Sequence, residues 1–200
     1  MKKSIVYFSL FIASIIGFYS CTVMQEVQKA GNIVNCQFRV NSVENITLAG
    51  VNVQNTKSLQ SVNVGDLAML TTAAMGSNLP LNFTLKLEGK NPNALAAGML
   101  RFDWILFIDD IQMTTGSVNQ KVNIPANSTS IIPIQIGLNL KKVLSGKSAD
   151  AMMNFGLNLA GAGNKPTRFK VKLKPTINVG NYPLTFPDYI NIGTEFSGAK

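Results

Sequence analysis

The chain has 200 residues, a formal net charge of +8 and a charged fraction of 14%, well under the roughly 25% of an ordinary soluble domain. Uncharged Asn, Ser, Thr and Gln must therefore carry much of its wetted surface. It contains no histidine, which removes the commonest general base, the commonest metal ligand and every Ser-His or Cys-His nucleophile arrangement at once.

At the start of the chain, Lys2 and Lys3 precede a nearly unbroken apolar run from Ile5 to Phe18, closed by Tyr19-Ser20-Cys21. A basic start, an apolar run and a small residue before a cysteine form the pattern of a bacterial lipoprotein signal peptide. The run is shorter than the roughly 20 apolar residues of a bilayer span, and no stop-transfer cluster of positive charge follows it. The expected organisation is a signal peptide over 1–20, removed so that the mature chain begins at a lipidated Cys21, then a tether over 21–35. A single body follows over 36–195. Without the leader, 16 basic and 10 acidic residues remain, a balance of +6. Cys36 then has no internal disulfide partner, and it reads as a small buried apolar side chain in a strand-like stretch.

From Gln37 onward the apolar period is two. Phe38 and Val40, Ile46 and Leu48, then Val51 and Val53 suggest a first strand pair broken by a bulge or bend near Ser42 to Asn45. Asp66 to Met75 breaks the period. Leu67, Met69, Leu70 and Ala74 lie on neighbouring turns, Asp66 is placed as a cap and Gly76 as a stop, so a short helix is predicted there. Leu81, Phe83, Leu85 and Leu87 alternate with Asn82, Thr84, Lys86 and Glu88, the pattern of a strand with one buried face. Leu100, Phe102, Trp104, Leu106 and Ile108 repeat it, with Ile105 and Phe107 on the second face, as expected of a central strand.

Asp109-Asp110 and Thr115-Gly116 read as turns. Val118 to Ile124 forms another predicted strand, Pro125-Ala126-Asn127-Ser128 a turn, and Ile132 to Leu140 a longer strand. A helical turn near Leu140 to Leu144 and a helix capped by Ser148 through Met152, Met153 and Phe155 are also predicted, the methionines on an apolar face against the body. Phe169, Val171 and Leu173 close the series, alternating with Arg168, Lys170, Lys172 and Lys174. Short strands spaced by turns, with one or two short helices, define an all-β fold, an antiparallel β-sandwich in a single domain.

Candidate sites are few. Asp109-Asp110 is the single adjacent acid pair after the leader, and turn hydration accounts for it. No stretch has the alternating oxygen donors of a calcium loop. Ser145-Gly146-Lys147-Ser148 lacks the earlier glycine of a phosphate loop, since Lys141 stands there, so it reads as a loop and helix cap. No cofactor or metal is expected. The four cations Arg168, Lys170, Lys172 and Lys174 would share one strand face within about 20 Å. They read first as lysines that blunt an exposed edge strand, and second as a face for an anionic lipid or glycan. A nucleic-acid partner is not expected, because no aromatic residue interleaves with these cations on the outward face. Tyr182-Pro183-Leu184 and Phe186-Pro187-Asp188-Tyr189 read as a closing strand locked on the core, with a peptide or glycan groove as the second reading.

Asn91-Pro92-Asn93 directly after a strand, the strand carrying Trp104, the Asp109-Asp110 turn, a Gly116-led strand and Ile124-Pro125-Ala126 before a β-branched strand together resemble the WHy domain (water stress and hypersensitive response). That family belongs to the structured, desiccation-related late-embryogenesis-abundant proteins. The resemblance covers roughly Cys36 to Ile192 and is densest from Leu81 to Leu140. It implies an immunoglobulin/fibronectin-III-like sandwich, an association with stress protection and no catalytic residues. Its bacterial members are often small lipoproteins. The helix-like insert at Asp66 to Gly76 and the segment around Met152-Met153 depart from the plant pattern.

The functional expectation is thus a non-enzymatic envelope lipoprotein. It would be held at the outer membrane, facing the periplasm, by acyl chains on Cys21, and act as a binding or stress-protective module. Two or three chains make such attachment stable where one is marginal. The alternative is a structural or assembly protein that pairs with an envelope partner through an exposed edge strand.

Overall fold

Period-two alternation becomes two packed antiparallel sheets. A computed structural model describes residues 28–29, 31–54, 63–143, 150–151, 154–155, 165–179 and 182–196. The predicted signal peptide, Cys21, the Ser145–Ser148 loop and Met152-Met153 lie outside these residues.

The strands are β1 (Gln37–Leu48), β2 (Val51–Asn52), β3 (Pro80–Asn91), β4 (Ala97–Met99), β5 (Arg101–Ile108), β6 (Ile111–Val118), β7 (Val122–Ile124), β8 (Ser128–Asn139), β9 (Thr167–Val179), β10 (Tyr182–Thr185) and β11 (Ile190–Phe196). Helix α1 covers Val64–Met75 and α2 Leu140–Val143. The first sheet has the order β2-β1-β3-β8, and the second β10-β9-β5-β6 with β11 also on β9, while β4 and β7 form a separate two-stranded ribbon. Every strand pair is antiparallel. The all-β sandwich expected from the sequence is the observed fold.

Alternate residues of the inner strands fill the space between the sheets. Leu85, Leu87, Ile134, Phe102, Leu106 and Leu173 are among the fully enclosed ones, and burial of each such side chain is worth about 1.5–3 kcal/mol. Gly116 faces Trp104, and a Cβ there would overlap the indole ring. Thr115-Gly116 is accordingly not a turn but the middle of β6, where the missing side chain makes room for the tryptophan. The Trp104 Nε1 atom is buried without a hydrogen-bond partner.

Other local expectations change in instructive ways. The predicted strand over Val118 to Ile124 divides, since Val118 ends β6 on β5 whereas Val122–Ile124 pairs with β4. Leu100 precedes β5 and is only half-buried. The expected bulge in β1 is present as register shifts at Val40/Ser42 and Glu44/Thr47, with Asn45 at φ 54.

The expected tether narrows at its C-terminal side. Residues 31–34 are helical, and Ile33 and Cys36 are buried in the core, so the packed body reaches back before Cys36. This helical segment, the ribbon and the 92–96 loop close one end of the sandwich, the ribbon end. Helices α1 and α2, the Asp109-Asp110 turn and helical residues 150–151 and 154–155 occupy the other, the helix end. There Phe155 stacks between Phe83 of the first sheet and Phe169 of the second, at centroid distances of 6.2 and 5.0 Å.

Candidate functional site

The four predicted cations do share one face, but they are not on an edge. Strand β9 is flanked by β5 on one side and by β11 and β10 on the other, so the edge-blunting explanation fails. The ladder projects from the outer face of the second sheet. Its first two members are neutralised by the hairpin between β5 and β6. Asp109 and Asp110, at φ 49 and 64, form a two-residue turn of the left-handed kind that Asp tolerates. Asp109 Oδ1 accepts from the Arg168 backbone N–H at 2.9 Å. Asp110 meets Arg168 Nη1 at 3.0 Å and Lys170 Nζ at 2.6 Å. The hydrogen bond from Lys170, followed by the charges of Arg168 and Lys170, holds the Asp110 carboxyl below its ordinary range. The acid pair is therefore a counterion for the ladder as well as a turn.

Lys172 and Lys174 have different partners. Lys172 Nζ lies 5.2 Å from the Phe107 ring centroid, and Lys174 Nζ lies 5.2 Å from that of Tyr189, both within cation–π range. Register explains this: Lys172 is opposite Ile105 and Lys170 opposite Phe107 across β5, so second-face residues of β5 share the outer face with the ladder. The expectation that no aromatic residue interleaves with the cations is thus corrected. The first sheet's outer face differs, pairing Arg39 with Glu88 in two 2.8 Å hydrogen bonds and Lys86 with Glu44 at 2.6 Å. These contacts lower the carboxyl pKa of Glu88 and of Glu44, in each case chiefly through the hydrogen bond from the cation.

The Asn91-Pro92-Asn93 motif forms a hydrogen-bonded clamp. Asn91 is fully buried, and its Nδ2 donates to the carbonyls of Leu95, Ile124 and Pro125, each at 3.0 Å. Its Oδ1 accepts from Asn93 N at 3.0 Å and Asn93 Nδ2 at 2.7 Å. Asn93 Nδ2 in turn reaches Asn32 O at 3.1 Å, and Asn93 O accepts from Asn127 N at 3.0 Å. Two amide side chains therefore fasten the N-terminal helical segment, the loop before β4 and the end of β7 together.

Beside this clamp is a groove of about 170 Å³, lined by Lys29, the ribbon residues Gly98, Met99, Val122 and Asn123, and Leu100, Lys121, Ile177 and Asn178. Sequence reading missed Lys29 and Lys121 as a pair, because nothing in the local pattern brings positions so far apart together. On β10, Tyr182 and Leu184 are 79% and 55% exposed and do not lock onto the core, whereas Phe186 just beyond them packs against it as expected. Strand β8 is an edge of the first sheet among the described residues. Leu140 N donates to Leu79 O at 2.9 Å, which makes Pro80–Asn139 a non-hydrogen-bonded pair and turns the amides of odd-numbered β8 residues outward. Pro133 therefore removes a donor from the middle of that edge. No group of three or more metal-ligating side chains converges among the described residues.

No family model matches the chain, and no curated protein matches it. Several solved structures are similar to it. One is a protein from Archaeoglobus fulgidus, at 13% identity over 80% of this chain and 99% of that one, with a TM-score of 0.36. Another is a solution structure from Arabidopsis thaliana, at 12% identity over 58% and 70% of the two chains, with a TM-score of 0.41. A third is a provisionally assigned late embryogenesis abundant (LEA) protein, at 11% identity over 92% and 86%, with a TM-score of 0.37. Likeness at this level says nothing of what the chain acts on.

Proposed function

We propose that this chain is a WHy-like, non-enzymatic module held at the bacterial envelope by acyl chains on Cys21, where it binds an anionic envelope component and contributes to stress protection. The membrane part of the reading rests on the leader pattern before Cys21. The binding part is carried by one observation: Lys172 and Lys174 sit over Phe107 and Tyr189 on the outer face of a central strand. Cations held against rings, with apolar surface between them, suit a ligand that offers negative charge beside hydrocarbon or a sugar face. The outer membrane, facing the periplasm, is the proposed location.

Mass spectrometry of the protein extracted from membranes is the direct test. Acyl mass on a peptide beginning at Cys21 is the expected result, and a chain still carrying residues 1–20 without modification overturns the localisation. Protection of a labile enzyme during drying tests the stress role. Stoichiometric crosslinking in cells to one envelope protein would favour the assembly reading instead. Against that reading, Pro133 interrupts the donor row of β8.

A further inference from the structure

Both ends of the protein carry lysines without an ion pair among the described residues, Lys141 and Lys142 in α2 at the helix end and Lys29 and Lys121 at the ribbon end. At the helix end Arg168 and Lys170 are paired with Asp110. At the ribbon end Lys29 and Lys121 form no ion pair among the described residues, although they line the same groove. The Asn91–Asn93 clamp holds the groove's walls together, because its hydrogen bonds run to the segment following Lys29 and to the end of β7 just after Lys121. The lining includes the amide-bearing Asn123 and Asn178 and the apolar Met99, Val122 and Ile177. Exposed apolar side chains occur on neighbouring segments: Tyr182 at 79% and Leu184 at 55% on β10, opposite Val179 and Ile177 of β9, with Val34 at 55% and Leu95 at 51%. Unpaired lysines amid an exposed tyrosine and aliphatic groups match the composition of a protein surface that meets a lipid–water interface.

Chain length points to the same occupant. Lys29 follows Cys21 by only eight residues, which at full extension reach at most about 28 Å. A lipid on Cys21 would keep this end, not the helix end, close to the bilayer. We infer that the ribbon end docks on the membrane and that the groove between Lys29 and Lys121 takes the phosphate of an anionic glycerophospholipid headgroup. This inference rests on the acylated-Cys21 reading above.

The test uses the full-length protein purified from membranes and reconstituted into vesicles of phosphatidylcholine alone or with phosphatidylglycerol. Lysines are labelled with a water-soluble acylating reagent, and the digest is read by mass spectrometry. Lys29 and Lys121 should label about five-fold more slowly in the anionic vesicles, since each cation near such a surface gains about 1 kcal/mol. Lys86 and Lys141, away from the groove, should label equally in both. In binding to vesicles, Lys29→Glu/Lys121→Glu should remove the preference for the anionic ones, whereas Lys29→Arg/Lys121→Arg, with an unchanged melting temperature, should keep it. Equal labelling of Lys29 and Lys121 in both vesicle types overturns the inference. So does equal protection by inorganic phosphate without vesicles. The mass of the Cys21 peptide in the same digest reports acylation separately. If Cys21 is bare, selective protection by anionic vesicles still upholds the groove, and its absence still removes it.

Discussion

The two ends of the sandwich are stabilised on opposite principles. At the ribbon end, three chain segments far apart in sequence meet around one fully buried amide, and their order depends on long-range hydrogen bonds. At the helix end, α1 is built almost entirely from local chemistry. The Asn63 side chain accepts from Asp66 N at 2.8 Å and donates to Asp66 Oδ2 at 2.6 Å, a reciprocal cap in which Asn63, not Asp66, is the cap residue. No residue of α1 is buried, and Val64 and Met75 are each 85% exposed. The ribbon end should therefore fail together with the whole fold, and α1 independently of it.

The largest expected effect comes from Asn91→Asp. It replaces an amide that donates to three carbonyls with a carboxylate pointing at them, in a site without solvent. Leaving a buried charge unpaired costs about 3–5 kcal/mol, or roughly 10 °C in a domain of this size. Thermal unfolding checks it. A shift of only a degree or two would mean that the clamp is not what holds the ribbon end.

A smaller effect at the same end is expected from Gly89→Ala. The new Cβ would lie 2.7 Å from Ile124 Cδ1 and 3.0 Å from the Phe38 ring. The isoleucine tip can move, so the cost should be about 1 kcal/mol, read as a drop of about 3 °C. Asn63→Ala should weaken the α1 cap by about 1 kcal/mol, but its effect should be visible only locally. Amide exchange across Val64–Met75 should quicken while the global melting temperature stays within about 1 °C. A global loss comparable to that of Gly89→Ala would erase the distinction between the ends.

The sandwich was legible in the sequence because alternation survives wherever one face is buried, as at Leu81, Phe83, Leu85 and Leu87. The same parity runs on to Gly89 and Asn91, so the sequence does carry a signal that Asn91 points inward. Gly116 carried a similar signal, since an isolated glycine within a strand marks a close approach. The cation ladder was legible as residues but not as a site, because the neighbours of β9 depend on long-range pairing. The helix at α1 was legible from its apolar spacing and its stop at Gly76, though not from its cap, which is Asn63 and not Asp66. Its apolar residues Leu67 and Met69 nevertheless remain 44% and 51% exposed.

The smallest expected effect is electrostatic and again divides the two ends. The Asp110 carboxyl sits below its ordinary range, chiefly through the Lys170 hydrogen bond. A carboxyl lowered in the folded state contributes stability that is present above its unfolded value, about 3.9. That contribution is lost as the pH falls through the lowered folded value. Acidification through that window should therefore loosen the Asp109-Asp110 turn and release Arg168 and Lys170. Lys29 and Lys121 have no paired carboxylate to titrate among the described residues, so the groove they line should not respond, while the Arg39–Glu88 pair on the outer face of the first sheet should follow the same rule as Asp110. Two-dimensional NMR across that range should show the amides of residues 109–111 and 168–170 moving together, with those of 97–99 and 121–124 still. Asp110→Asn should remove the carboxyl's own titration from the turn. Equal movement at both ends would show that the turn titrates as part of a global acid transition instead of as a separate ion-pair cluster.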